Sequence, residues 1–211
     1  VAVPDPPRPF PAFNTGRLAA GTTLVRFHAA AFAGDAPNPC RGGPTRFAPI
    51  YDPAGGCIPS LYAAATLECA AFESVFHDVP HTDADKFVPL QKILSRAVSR
   101  LELQVDLMLA NLFEPDLNRI MLTRADLIDT PASTYRRTAR WAEAIHRADA
   151  EVAGLAWTSR RCDTGPAYLF FADRLPEGAF AILDRTEVGA SADLLEEVRA
   201  IGARAGITLS I

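Results

Sequence analysis

Three charged residues stand where burial is expected, and they are the first candidates for chemistry. Arg26 interrupts the apolar run from Thr22 to Ala29. Glu68 and Glu73 lie in a segment that is apolar nearly all round, with Leu67, Ala70, Ala71, Phe72, Val75 and Phe76. A buried charge is costly unless it is paired or used. The plain expectation is an Arg–Glu pair; the functional one is a guanidinium and a carboxylate aimed at a ligand. Helical periodicity does not choose between the two glutamates. The histidines His28, His77, His81 and His146 are scattered, which suits surface or structural roles better than a triad base or a set of metal ligands. There is no GxGxxG, GxxxxGK, GxSxG or HExxH. Cys40, Cys57, Cys69 and Cys162 make no CxxC and have no His at zinc-ligand spacing. Reduced thiols in a cytosolic protein are the expectation, with one chance disulfide as the other option.

These side chains need elements to hold them. Thr22 to Ala29 is β-branched and aromatic and reads as a strand, as does Ser60 to Ala65. Thr66 is placed to cap a helix running to His77. Residues 90–99 suggest a short helix. Leu101 to Leu109 alternates apolar with polar over its length and predicts one half-buried strand. Residues 116–128 read as helix or turns. A helix follows from Pro131 or Ser133 to about Ala148, then strands at Val152 to Thr158, Ala167 to Ala172 and Phe180 to Asp184. Ser191 caps a helix to about Arg204, Gly206 ends it, and 207–211 closes as a strand. Strands outnumber helices and interleave with them irregularly. The fold class expected is therefore α+β with a mixed or antiparallel sheet. The 17 prolines and 13 glycines are unevenly spread. One proline cluster makes residues 1–21 an extended arm, and another lies in the long loop from Gly34 to Gly56, which carries Arg46 and Tyr51.

Composition removes several classes. The 211 residues are 49% hydrophobic and 22% charged, which excludes wholesale disorder. At ~150 residues per domain the length fits roughly one domain. Lys+Arg 21 against Asp+Glu 25 leaves −4, a poor balance for a nucleic-acid binder. No apolar run approaches ~18 residues, so no membrane span is expected. No signal peptide is visible, and a cytoplasmic protein is the expectation.

Several segments, in one order, resemble a known family. Arg46-Phe47-Ala48-Pro49 resembles an Arg-aromatic-x-Pro loop, and Leu61-Tyr62-Ala63-Ala64 an aliphatic-Tyr-x-Ala strand. Glu73 follows Tyr62 by 11 residues, the family's spacing, which selects it over Glu68. Ser159-Arg160-Arg161 resembles a Ser-x-Arg turn, Leu169-Phe170 the strand after it, and Arg26 an Arg on the first strand. The chain is thereby similar to the RES-domain family, named for its Arg, Glu and Ser. Two departures stand out. Phe27 replaces a Tyr common after the first Arg, and Gly165 to Tyr168 lacks an Asn common there.

The resemblance implies an ADP-ribosyltransferase-like core over residues 22–185, between the arm 1–21 and a helix–strand extension 186–211 packed on the same domain. It implies a bacterial toxin of a toxin–antitoxin pair that consumes NAD⁺ as substrate and requires no cofactor or metal. Cleavage of the nicotinamide–ribose bond, by water or phosphate, is the first expectation. A mono-ADP-ribosyltransferase acting on a protein is the alternative, and a non-catalytic binding module a further one. The implied catalytic set is Glu73, Arg46, Tyr62 and Ser159; the implied NAD⁺ contacts are Arg26, Arg46, Tyr51, Tyr62 and Ser159. A cognate antitoxin is the implied partner, with no nucleic acid and no membrane.

Overall fold

The computed structural model describes residues 3–80 and 82–210, so His81 and the chain ends Val1, Ala2 and Ile211 lie outside the described residues. In chain order the strands and helices are β1 (Thr15–Leu18), β2 (Thr23–Ala29), β3 (Ile50–Tyr51), β4 (Cys57–Ile58), β5 (Ser60–Ala64), α1 (Leu67–Phe72), β6 (Lys86–Pro89), α2 (Leu90–Leu94), β7 (Arg96–Leu103), β8 (Leu107–Asn111), α3 (Glu114–Arg119), α4 (Arg124–Leu127), α5 (Tyr135–Ala148), β9 (Val152–Thr158), β10 (Pro166–Phe171), β11 (Phe180–Glu187), α6 (Ala192–Arg204) and β12 (Ile207–Ser210). Eight strands form one sheet in the order β1-β8-β9-β10-β5-β2-β7-β11. Only the β8–β9 pair in it is parallel. The α+β class with a mixed, mostly antiparallel sheet is what the strand-rich, irregular order predicts.

The sheet cannot be flat. β7 and β8 are joined by three residues, Gln104 to Asp106, yet four strands lie between them in the sheet. Strands are spaced ~4.8 Å apart, so a flat sheet would separate them by ~24 Å, and the connection spans at most ~14 Å. The sheet therefore curls on itself. Leu24, Leu61, Leu101, Leu103, Leu109, Phe170 and Phe180 fill its inner face. Outside, α5 packs Trp141 and Ile145 onto Leu155, Trp157, Leu169 and Phe171. On a separate patch, α1 and α6 pack with Val25, Phe27, Phe72, Phe76 and Val198. β9 and β10 are covered on both faces, which is why their sequences are continuous apolar runs.

Three local expectations are corrected. The single strand expected over Leu101 to Leu109 is two, because Gln104–Asp106 turns the chain between β7 and β8 and the period of two carries across the turn. The arm 1–21 is not simply extended: Thr15–Leu18 pairs with β8 at the sheet edge. Ahead of it the Trp141 indole donates to the Pro4 carbonyl at 2.8 Å, and Phe10 packs edge-on against Trp141. The cysteines are not thiols. Cys40 bonds to Cys57 and Cys69 to Cys162, leaving none free. The partners are 17 and 93 residues apart, and no sequence spacing announces such pairs.

Candidate functional site

α1 begins as expected: the Thr66 side chain accepts the Cys69 N–H at 3.1 Å. The helix is shorter than its apolar run suggests, ending at Phe72, and Glu73 caps it at the C-terminal end. That position turns the Glu73 carboxylate off the apolar face and onto the wall of a cavity of about 570 Å³, within the usual range for small-molecule sites. The same cavity is lined by Arg26 from β2, Arg46 from the long loop and Tyr62 from β5. Among the described residues Glu73 has no ion-pair partner, so the plain Arg–Glu pair does not form. Glu68 is taken: Arg204 of α6 reaches its carboxylate at 2.5 Å.

Arg46 carries the most unusual environment in the cavity. It is 2% exposed. Its Nη1 donates to the Thr130 hydroxyl at 3.2 Å, its carbonyl accepts the Thr138 hydroxyl, and its guanidinium lies over the Tyr135 ring. Nε and Nη2 are buried with no hydrogen-bond partner among the described residues. Unmade bonds to a buried cation are expensive. Two donors in one planar fork match the oxygens of a carboxylate or phosphate.

Arg26 does a different job. Its Nη1 donates to the carbonyls of Gly34 and Ala36, 2.7 Å each, and so ties the start of the long loop to β2. Burial lowers its pKa to about 10, with Asp35 opposing, and it stays charged at neutral pH. Tyr62 also serves the loop. Its hydroxyl accepts the Phe47 N–H at 3.0 Å and meets the Thr45 hydroxyl at 3.0 Å. Burial raises this phenol well above its usual range. Its OH is thus spent on presenting Arg46, not left free as a polar handle.

Tyr51 and Ser159 do not line this cavity. Tyr51 is exposed on the β3–β4 hairpin, its backbone bonded to Glu143 and Arg147 of α5. Ser159 is buried and caps its own turn, accepting the N–H groups of Arg161 and Cys162 at 3.2 Å each. It faces a second cavity beyond α1, with Arg124, Arg160 and Arg161. Thr130 links a residue of each cavity: its carbonyl accepts Arg160 at 3.2 Å while its hydroxyl accepts Arg46.

Among the lining residues that sequence reasoning missed are His28, Arg41, His77, Asp78, Arg96 and Tyr135. His28 Nδ1 donates to the Ala29 carbonyl, and Nε2 lies 2.9 Å from the Ser99 hydroxyl. Burial, then the charge of Arg26, lowers its pKa to about 4. The only local signal was a histidine inside an apolar strand. Tyr135 and His77 are 58 residues apart and gave none. Among the described residues no group of His, Cys, Asp or Glu is placed to hold a metal ion, and no helix is long and apolar enough to cross a membrane.

The RES domain family matches residues 17–189, most of the chain. The chain belongs to the RES domain family. The match starts inside β1 and ends just after β11, so it takes in only the end of that strand and leaves α6 and β12 outside. No curated relative matches this RES chain. Among solved structures it is similar to a chain in the crystal structure of the M. tuberculosis MbcT–MbcA toxin–antitoxin complex. The identity is 16%, the TM-score 0.62, and the match covers 88% of this chain and 92% of that one. At that identity the likeness is one of fold.

Proposed function

We propose that this RES protein is a toxin-like enzyme that cleaves the nicotinamide–ribose bond of NAD⁺, passing the ADP-ribosyl group to water or phosphate. The observation that carries the reading is Arg46: it lines the cavity with Glu73, two of its buried guanidinium nitrogens have no hydrogen-bond partner among the described residues, and Glu73 has no ion-pair partner among them. Arg26, Arg41, Arg46 and Arg96 face Glu73 and Asp78 there, a locally basic cavity in a chain of net charge −4. A diphosphate dianion supplies the acceptors that Arg46 lacks. Nicotinamide leaves as a neutral base, so no general acid is needed. The transition state is a loose ribosyl cation, and one aimed carboxylate, Glu73, stabilises it or holds the ribose hydroxyls. Tyr62 and Arg26 act by holding the loop that presents Arg46. Ser159 acts by shaping the turn beside α1. No cofactor is needed for this chemistry.

The toxin–antitoxin origin of the structural neighbour supports a cognate antitoxin as partner. NMR of NAD⁺ incubated with purified protein, with and without phosphate, tests the reading. Release of nicotinamide is expected, with ADP-ribose or its 1″-phosphate as co-product. NAD⁺ left intact where it demonstrably binds would sink it, and label moved onto a lysate protein would favour transfer to a protein instead.

A further inference from the structure

A buried arginine that must bind a ligand faces a conflict. A carboxylate partner would offset its desolvation but would consume the donors the ligand needs. Arg46 resolves this with an aromatic ring. Its Cζ lies 5.2 Å from the Tyr135 ring centroid, so the negative face of the ring compensates the charge without taking an N–H. Tyr135 is itself held. Its hydroxyl stands 2.7 Å from His77 Nε2, and His77 Nδ1 stands 2.8 Å from Asp78 Oδ1. An ionised carboxylate only accepts, so Nδ1 carries the hydrogen that faces Asp78 and Nε2 is left facing the phenol. Burial raises the Tyr135 pKa and keeps that phenol protonated. Asp78, His77, Tyr135 and Arg46 form one line of contacts. It starts one turn beyond Glu73, passes through the first residue of α5 and ends in the long loop.

We infer that Tyr135 is a positioning residue for Arg46, and that His77 acts on substrate affinity only through Tyr135, with Asp78 orienting the His77 ring. This rests on the reading of the cavity as an NAD⁺ site. A positioning role predicts an effect on KM rather than kcat, because the diphosphate is held equally in ground and transition states.

The test uses the full chain, with steady-state nicotinamide release and calorimetric titration. Y135L removes the ring and is expected to raise KM for NAD⁺ about tenfold, between the exposed and the fully desolvated values of a cation–π contact, with kcat little changed. Y135F keeps the ring, loses only the bond to His77, and is expected to recover most of that loss. H77A is expected to cost about as much as Y135F and to add nothing in the Y135L background; Y135L is expected to add nothing in an R46Q background. Wild-type KM in Y135L, a fall in kcat alone, or full additivity in either pair would overturn the inference. If Y135L does not fold, the Y135F and H77A pair tests the same link, since both cut one bond and should not add. If the wild-type protein does not cleave NAD⁺, the functional reading fails separately. The same variants are then titrated with inorganic pyrophosphate, whose affinity should follow the same order; equal affinities would overturn the positioning role too.

Discussion

The Tyr62 hydroxyl accepts the backbone N–H of Phe47 at 3.0 Å, so a sheet residue grips the long loop one position beyond Arg46. Tyr62→Phe keeps the ring against Trp157 and removes that grip. A lost bond to a part-buried donor costs about 1–2 kcal/mol, or ~2–8 °C in melting temperature for a chain of this size. Because the loop carries Arg46, the variant should also raise KM for NAD⁺ several-fold. Thermal unfolding and cleavage kinetics on the same preparation check both. A melting shift with unchanged KM would separate Tyr62 from the site.

The sequence made much of this legible for local reasons. Thr66 could be read as a cap because capping needs only the next three residues, and the runs at Val152 and Ala167 because double burial leaves only apolar positions. The Tyr62-to-Glu73 spacing, read through the family resemblance and not from periodicity, picked out the carboxylate that lines the cavity. What stayed hidden depends on contacts across the fold. Arg204 reaches Glu68 from 136 residues away, and β12 pairs with β6 in parallel although both are short and isolated in sequence. Tyr51 and Ser159 could be located on their loops, but whether a loop residue faces a cavity or its own backbone is set by the closing of the loop, which sequence pattern does not encode.

The two glutamates of the α1 segment should separate cleanly. Glu73→Gln preserves volume and removes the charge facing the cavity. Nicotinamide release is expected to fall ~10²–10³-fold with NAD⁺ affinity nearly unchanged. Glu68→Gln breaks a pair whose arginine is mostly exposed, so it should cost under ~1 kcal/mol and leave the rate alone. Rates measured at matched protein concentration decide; equal losses in the two variants would remove Glu73 from its proposed role.

His28 makes stability depend on pH. Its folded pKa, about 4, lies below the unfolded value of 6.5, so the folded state prefers the neutral ring. The stabilisation is complete above pH 6.5 and is lost as pH falls toward 4, because the unfolded chain takes up the proton first. The effect is on the order of 2 kcal/mol once solvent screening is allowed for. Denaturant midpoints between pH 4 and 7 should therefore slope upward, and His28→Gln should flatten the slope. A slope unchanged by the substitution would assign the acid sensitivity to carboxylates.

The disulfides bear on the site as well as on stability. Cys69 accepts the Glu73 N–H on its carbonyl at 2.9 Å, and Cys162 donates its own N–H to Ser159, so this bond ties the Glu73 turn to the Ser159 turn. The Cys40–Cys57 bond closes the loop that carries Arg46. Loop entropy gives about 4–5 kcal/mol for the 93-residue separation and about 3 kcal/mol for the 17-residue one. Removing the first pair as Cys69→Ser with Cys162→Ser should lower the melting temperature by ~10 °C or more and slow nicotinamide release. Removing the second should cost less stability and show mainly in KM. Protein prepared without reductant should show no reactive thiol after denaturation, and dithiothreitol should reproduce the losses of the double variants. Four free thiols in protein taken directly from its host, with full activity, would show that the site is built without them.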